Sequence, residues 1–221
     1  MPRGSTAPDL LSGLPVGPAM EPIGDGAVVL RGFAASRSAS LLRHVAQIAA
    51  TAPFRRMVTP GGYTMSVSMT NCGELGWVTD RAGYRYQHID PLSGAAWPDM
   101  PGEFESLAAD AAAEAGYGGF VPDACLINRY EPRAKLSLHQ DRNERDMDAP
   151  IVSVSLGVPA SFLFGGPRRS ERPRRLRLEH GDIVVWGGPT RLAYHGVEPL
   201  DDGVHPATGQ YRINLTFRRA G

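Results

Sequence analysis

The sequence of residues 211–218 is YRINLTFR, in which apolar and polar side chains alternate strictly. This alternation predicts a β-strand, because successive side chains of a strand point to opposite faces. One interpretation is an ordinary half-buried strand with its polar face in water. The other is that the polar face, with Arg212 and Arg218, lines a cavity that holds an acidic small molecule. Arg binds carboxylates as a planar fork, so a dicarboxylate could lie between the two guanidiniums.

A second short motif, LHQD at residues 138–141, places His139 and Asp141 two residues apart. On an extended strand two such side chains share a face, and His195 could join them from a distant strand. Two histidines and one carboxylate are the ligand set of non-heme Fe(II) oxygenases. An HxD pair alone occurs often by chance. Together with the two arginines it predicts an iron site that uses 2-oxoglutarate as the dicarboxylate.

The chain after Pro122 consists of short predicted strands separated by glycine-containing turns. Many short strands with regular turns predict a sandwich or jelly roll. Two helices are predicted before this region, over residues 36–50 and 102–116, from their apolar spacing and their ends at Pro53 and Gly116. The predicted strands are 124–130, 151–156, 161–164, 176–178, 183–186, 192–195 and 211–218.

The composition is that of an ordinary soluble globular protein, with 42% apolar and 21% charged residues in 221. A net charge of zero argues against broad, nonspecific coating of nucleic acid. We expect no membrane association, because no apolar run approaches the roughly 18 residues of a spanning helix. Residues 1–20 contain no continuous apolar stretch, so we expect no signal peptide and a cytoplasmic protein. We expect Cys72 and Cys125 to be free thiols there, and the protein to be a monomer.

Residues 63–70, YTMSVSMT, also alternate, and an aromatic-rich stretch with Trp77, Tyr84 and Tyr86 follows them. The pattern fits a two-stranded ribbon that packs its Met and Val face on the core. It fits equally a lid over the iron site, in which Met and aromatic side chains form an adaptable binding surface.

Five blocks of sequence carry a family resemblance: FRRMVTPGGYTMSVSMTNCGELGW, PDACLINRYEPRAKLSLHQDRNE, PIVSVSLGVPASFLFGG, LEHGDIVVWGGPTRLAYHGV and YRINLTFRRAG. From about residue 26 to 220 the chain resembles the AlkB-type alkylated-DNA repair dioxygenases. The resemblance implies a mainly β fold with flanking helices, namely a double-stranded β-helix (jelly roll) core with an N-terminal nucleotide-recognition lid. The implied organisation is a flexible lead-in at 1–25, helices and lid at 26–120, and the oxygenase core at 121–221, in one compact unit.

The resemblance also implies oxidative demethylation of N-alkylated bases, chiefly 1-methyladenine and 3-methylcytosine, with Fe(II), 2-oxoglutarate and O2. The implied catalytic iron ligands are His139, Asp141 and His195. The implied 2-oxoglutarate contacts are Asn128, Tyr130, Arg212, Asn214 and Arg218. The implied substrate contacts are Thr59, Met65, Trp77, Tyr84, Asn143 and Arg169.

One position departs from the family prototype, which has an acidic residue where this chain has Asn143. An amide both donates and accepts hydrogen bonds, whereas a carboxylate only accepts them, so the base preference is open. Six arginines between residues 168 and 177 predict a solvated hairpin tip, from which Arg169 alone is expected to reach the substrate.

The implied partner is single-stranded DNA, with double-stranded DNA and RNA as further candidates. One alternative is a 2-oxoglutarate oxygenase that acts mainly on RNA or tRNA bases or on another substrate, such as a protein side chain. The lid's Trp and Tyr favour a nucleobase but do not separate DNA from RNA. Another alternative is a non-catalytic binding module, which would be expected to lack a metal ligand or a clamp arginine, and this chain lacks neither.

Overall fold

A computed structural model of the chain describes residues 19–221. Fourteen strands and two α-helices make up this part of the chain. The helices are α1 (Ser38–Thr51) and α2 (Gly102–Glu114). The strands are β1 (Met20–Gly24), β2 (Ala27–Leu30), β3 (Arg55–Val58), β4 (Thr64–Gly73), β5 (Gly76–Asp80), β6 (Gly83–Gln87), β7 (Ala124–Tyr130), β8 (Leu136–His139), β9 (Ile151–Gly157), β10 (Ala160–Phe164), β11 (Arg174–Leu178), β12 (Ile183–Trp186), β13 (His195–Val197) and β14 (Arg212–Arg218).

Two antiparallel sheets pack face to face. The large sheet has the strand order β1-β2-β12-β9-β14-β7-β4-β3, and the small sheet has the order β11-β10-β13-β8. One apolar core lies between them, with Met69, Ile151 and Trp186 from the large sheet against Phe162 and Leu176 from the small one. Burial of each such side chain contributes about 1.5–3 kcal/mol. This arrangement confirms the predicted mainly β, jelly-roll core with flanking helices.

Both helices cover the outer face of the large sheet. Leu41, Val45 and Ile48 form the buried stripe of α1, at the spacing that an amphipathic helix requires. In α2 the buried Phe104 contacts Phe217 of β14 edge to face, with 5.8 Å between ring centroids. The two predicted helices are confirmed to within two residues at each end. Within residues 19–221, no helix combines the length and the apolar character that crossing a bilayer demands.

The ribbon predicted from residues 63–70 lies elsewhere. The strand β4 pairs with β3 and β7 inside the large sheet, and residues 67–72 are buried on both of its faces. The separate two-stranded ribbon is formed by β5 and β6. The strand continues beyond the alternation, which ends at Thr70: β4 extends to Gly73 and bonds to β7 from Ser68 onward.

Three local predictions are wrong. The strand predicted at 192–195 is wrong, because β13 begins only at His195. The residues before it form a 3-10 helix at Gly188–Thr190 followed by a turn. Asp141 lies two residues beyond the end of β8 and not on a strand with His139. The lead-in predicted at 1–25 includes β1, which pairs with β2; its residues 1–18 lie outside the described part of the chain.

Candidate active site

A cavity of about 750 Å³ opens between the two sheets, and all of the predicted site residues line it. Every residue of β14 is buried, and its polar members, Arg212, Asn214, Thr216 and Arg218, are each no more than 6% exposed. The polar face of this strand therefore lines the cavity, and the interpretation that places it in water is wrong.

Three side chains converge at one point of this cavity. His139 at the end of β8 is the register partner of His195 at the start of β13. Asp141 lies two residues after His139 in the sequence. The ligand atoms of these three residues lie within 4.8 Å of one another, and theirs is the one such cluster among residues 19–221. Two imidazoles and a carboxylate with this spacing fit an Fe(II) ion.

The histidines present the correct nitrogen to such an ion. The Nδ1 of His139 lies 2.9 Å from the Ser137 carbonyl oxygen, and the Nδ1 of His195 lies 3.0 Å from that of Ala193. A carbonyl oxygen only accepts, so each Nδ1 carries the proton and each Nε2 keeps its lone pair. Burial, and next the neighbouring His139 ring, lower the pKa of His195 to about 4. The ring is therefore neutral at pH 7, as metal binding requires.

Asp141 is held in its charged form by Arg218. Both Nε and Nη2 of Arg218 donate to Oδ2 of Asp141, at 3.0 and 2.6 Å. Burial alone would raise the pKa of Asp141, but Arg218, His195 and His139 together hold it well below its ordinary value. The group is thus a carboxylate at all physiological pH values. Arg218 is engaged with this metal-ligand candidate at one end of β14.

At the other end of β14, Arg212 is buried without a full set of partners. Its Nη2 donates to the Ser155 hydroxyl at 3.0 Å, and its guanidinium carbon lies 5.0 Å from the centre of the Tyr130 ring. Within residues 19–221, its Nε and Nη1, and Oδ1 of the nearby Asn128, have no hydrogen-bond partner. A buried cation with unpaired N–H groups calls for an anion. The pocket therefore fits a carboxylate group of 2-oxoglutarate.

Asn214 already has its hydrogen bonds inside the protein. Its Nδ2 donates to the Ser153 hydroxyl at 2.8 Å, and its Oδ1 accepts from Thr216 and from Asn128, at 2.9 and 3.2 Å. The side chain lines the cavity and holds Asn128 in place from the neighbouring strand.

The predicted substrate residues lie at the mouth of the same cavity. Trp77 of β5 and Tyr84 of β6 stack on each other, with ring centroids 5.7 Å apart and planes inclined by 22°. The backbone of Trp77 is held on both sides by the Asn71 amide, which bonds to its N–H and its carbonyl. Met65 of β4 and Thr59 of the preceding turn lie beside this stack as lining residues.

The exposed Asn143 and Arg169 complete the rim of the cavity. Of the other arginines near Arg169, three form surface ion pairs with glutamates: Arg168 with Glu171, Arg175 with Glu198 and Arg177 with Glu179. These pairs confirm that most of the six arginines are solvated. Arg174, Arg175 and Arg177 lie on β11 and not at the hairpin tip, and Arg169 is the one of the six that lines the cavity.

A buried charge cluster behind Asp141 is absent from the residues predicted by sequence. Glu144 accepts from the Tyr86 hydroxyl at 2.6 Å and lies 3.4 Å from Nε of Arg218. Arg191 donates to Glu144 at 3.3 Å and to the Asp141 carbonyl at 2.8 Å. The cluster links the β5–β6 ribbon, the loop of Asp141 and the guanidinium of Arg218. Arg191 lies in a Gly- and Pro-containing turn without periodicity, so no local signal marks it.

Comparisons with known proteins agree with this geometry. The family model described as the 2OG-Fe(II) oxygenase superfamily matches residues 26–218. The chain is 63% identical over 203 residues to "Alpha-ketoglutarate-dependent dioxygenase AlkB" of Salmonella typhimurium, covering 92% of this chain and 94% of the relative. Its identity to the protein of the same name in Escherichia coli is 60%, with the same shares covered.

The solved structure of OsALKBH1 superimposes with a TM-score of 0.81 at 27% identity, and the match covers 91% of this chain and all of that one. The fold, the ligand triad and the sequence relatives lead to one conclusion. The chain belongs to the AlkB-type, Fe(II)- and 2-oxoglutarate-dependent dioxygenases.

Proposed function

We infer that the enzyme oxidatively demethylates alkylated nucleic-acid bases, and we propose 1-methyladenine and 3-methylcytosine in single-stranded DNA as its main substrates. The observation that carries the inference is a shared cavity: the His139–Asp141–His195 triad, the unpaired N–H groups of Arg212 and the Trp77–Tyr84 stack all line it. An iron ligand set, an anion pocket and an aromatic platform are what this reaction requires.

When bound, Fe(II), 2-oxoglutarate and O2 together supply the oxidising power that hydroxylates the methyl carbon, and 2-oxoglutarate leaves as succinate and CO2. The C–N bond of the N-hydroxymethyl group then breaks: its electron pair returns to the ring nitrogen, the hydroxyl proton leaves to solvent, and formaldehyde is released. We propose that His139, Asp141 and His195 hold the metal. Arg212 would bind the distal carboxylate of 2-oxoglutarate, and Arg218 would bind the other end while still orienting Asp141.

Tyr130 and Asn128 would complete the 2-oxoglutarate pocket. Burial raises the pKa of Tyr130, so its hydroxyl stays protonated and can donate to a carboxylate. The Asn128 carbonyl oxygen without a partner is oriented by the bond from its own amide to Asn214.

The base would stack against Trp77 and Tyr84, beside the His139 ring. Both methylated bases are cationic near neutral pH, and a cation over an aromatic face gains about 0.5–2 kcal/mol. Extracting a base from a duplex costs a few kcal/mol and less from a single strand. For this reason we propose single-stranded DNA as the preferred substrate, with double-stranded DNA and RNA as slower ones. Thr59, Met65 and Arg169 would contact the nucleotide around the base.

Asn143 would lie beside the base edge, where it sets the balance between the two substrates. Its amide carries no charge, so it would attract a cationic base less than a carboxylate would, but it can also donate. We expect Asn143→Asp to change the ratio of kcat/KM for 1-methyladenine over that for 3-methylcytosine, with Asn143→Ala as the control for the lost amide. If the ratio of the two kcat/KM values is unchanged in both variants, Asn143 takes no part in substrate recognition.

The proposed reaction is tested with purified protein, Fe(II), ascorbate and 2-oxoglutarate on matched DNA and RNA oligonucleotides with one methylated base. Mass spectrometry should show the loss of one CH2 unit, and Asp141→Ala should show none. Faster turnover of RNA would favour the alternative of an RNA or tRNA demethylase. An unchanged mass for every oligonucleotide, with iron bound and 2-oxoglutarate still consumed, would refute nucleobase demethylation.

We also propose that residues 26–120 serve base recognition and that residues 121–221 carry the oxygenase chemistry, in a monomer that works in the cytoplasm. The buried thiols of Cys72 and Cys125, opposite each other on β4 and β7, suit a reducing compartment. Light scattering coupled to size exclusion tests the monomer, and fractionation of expressing cells tests the location.

A further inference from the structure

A second cavity, of about 900 Å³, lies between the β5–β6 ribbon and the residues that follow β14. Tyr84 and Asn143 line both this cavity and the active-site cavity, so the two are neighbours across a common rim. We call it the second cleft. Besides Tyr84 and Asn143, the cleft shares only Tyr86, the hydrogen-bond partner of Glu144, with the residues to which a role has been assigned.

The rim of the second cleft carries cations. Three arginines line it, namely Arg85, Arg145 and Arg219, and Arg85 is already paired with Asp80. Arg145 is exposed and forms no ion pair within residues 19–221. The Arg219 side chain is 51% exposed, and its Nε lies 3.5 Å from the nearest carboxylate oxygen, on Asp146. Arg145 is therefore free to bind an anion from solvent, and Arg219 can do so by exchanging its half-exposed surface pair with Asp146.

Two acidic residues also line the cleft, but one of them is already satisfied. Both oxygens of Asp123 accept backbone N–H groups, from Ala220 at 2.6 Å and from Gly221 at 2.9 Å. Glu74 is the remaining carboxylate, and it is exposed at the edge. Arg145 is thus the one arginine of the cleft without a carboxylate partner within residues 19–221, and Asp123 directs its charge to two backbone N–H groups.

The wall and floor are aromatic and apolar. Tyr84 is 47% exposed and Val121 is 64% exposed, with Leu75 and Pro122 beside them. Cations around aromatic and apolar surfaces are the combination that binds single-stranded nucleic acid, because phosphates pair with the cations while bases stack. A small anion such as free phosphate would gain no binding energy from the apolar part of the surface.

We propose that the second cleft binds the nucleotides next to the target nucleotide, with Arg145 and Arg219 pairing with their phosphates. The strand would pass over Tyr84 from one cavity to the other. This proposal rests on the proposed function, since it assigns the path of the same substrate. The affinity of the enzyme for single-stranded DNA should then depend on strand length, because a lone methylated nucleotide would fill the active-site cavity only.

The test compares Arg145→Gln/Arg219→Gln with the wild type on a methylated mononucleotide and on a longer single-stranded oligonucleotide. The matched control is Arg43→Gln/Arg177→Gln, which removes the same charge from two exposed arginines that line neither cavity. Unfolding midpoints of all the proteins check that the variants are folded.

We expect KM for the oligonucleotide to rise about five- to tenfold in the cleft variant, because two guanidinium–phosphate pairs are removed. The slope of log(kcat/KM) against log salt should become shallower by about 1.4, since each phosphate of a single strand that is no longer neutralised reduces it by roughly 0.7. Kinetics on the mononucleotide should match the wild type. Arg145→Lys/Arg219→Lys should keep most of the oligonucleotide affinity, since it keeps the charge.

An unchanged KM for the oligonucleotide in the cleft variant, or an equal rise in the control variant, would overturn the second cleft as a nucleic-acid surface. That result is distinguishable from failure of the proposed function. In the latter case the wild type itself would leave the methyl group in place on both the mononucleotide and the oligonucleotide.

Discussion

Arg191 offers the sharpest test of how the structure holds its metal-ligand candidate. Its side chain is 4% exposed and donates to three acceptors: the Asp141 carbonyl at 2.8 Å, the Ala149 carbonyl at 2.9 Å and Glu144 at 3.3 Å. Arg191→Met keeps much of the volume and removes all three bonds. Breaking a buried ion pair costs about 3–5 kcal/mol. Because Glu144 keeps Tyr86 and Arg218 as partners, we expect Arg191→Met to lower the free energy of unfolding by about 3 kcal/mol, the low end of this range.

Urea unfolding of the metal-free proteins at neutral pH measures this loss by linear extrapolation. Arg177→Met is the matched control, because Arg177 is 67% exposed and pairs with Glu179 only at the surface; its loss should stay below about 1 kcal/mol. Freeing the Asp141 carbonyl should also weaken metal binding about 10- to 100-fold, as for other residues that orient a ligand. A loss below about 1 kcal/mol for Arg191→Met, or an unchanged Kd for iron, would refute the role assigned to Arg191.

Three further outcomes follow from other parts of the structure. Gly196→Ala would place a Cβ 2.6 Å from the Leu136 carbonyl oxygen, so β13 should shift from β8 and iron affinity should fall, as titration calorimetry with a redox-inert metal would show; equal affinity would contradict the close approach. Arg212→Gln removes the unpaired cation and should raise the Kd of 2-oxoglutarate at least about tenfold, since a hydrogen bond to a charged group contributes about 1.5–3 kcal/mol. Binding is followed by tryptophan fluorescence, and a rise of less than about threefold would contradict this role of Arg212. Burial alone would raise the pKa of Asp90, but the two bonds from Arg55 and the Leu92 N–H lower it; the stability that wild type gains over Asp90→Asn should therefore be present at neutral pH and vanish as pH falls below about 4, and a gap that stayed constant in acid unfolding curves would contradict this.

Much of the fold was predictable because its signals are local. The strands β7, β9, β10, β12 and β14 and both helices lie where apolar periodicity placed them. Local periodicity failed where a segment takes its conformation from distant partners. In β4, residues 67–72 are buried on both faces because β3 and β7 flank the strand, a fact that alternation over residues 63–70 does not encode.

The site shows the same division. All of the site residues expected from the motifs and the family resemblance line one cavity. The cluster of Tyr86, Glu144 and Arg191 was not expected, because each residue gains its role from a partner far away in sequence. From the sequence alone, a buried charged residue in a turn cannot be distinguished from an exposed one, because its partners lie elsewhere in the chain.

By itself, the sequence determined which residues could form an iron and 2-oxoglutarate site and that β14 alternates. Only the tertiary structure decided that the polar face of β14 is buried in a cavity and that His195 meets His139 across β13 and β8. It also decided that Arg191 supports Asp141 from behind. The reason is physical: alternation reports the two faces of one strand, whereas the register between strands and the burial of a charge depend on contacts between distant segments.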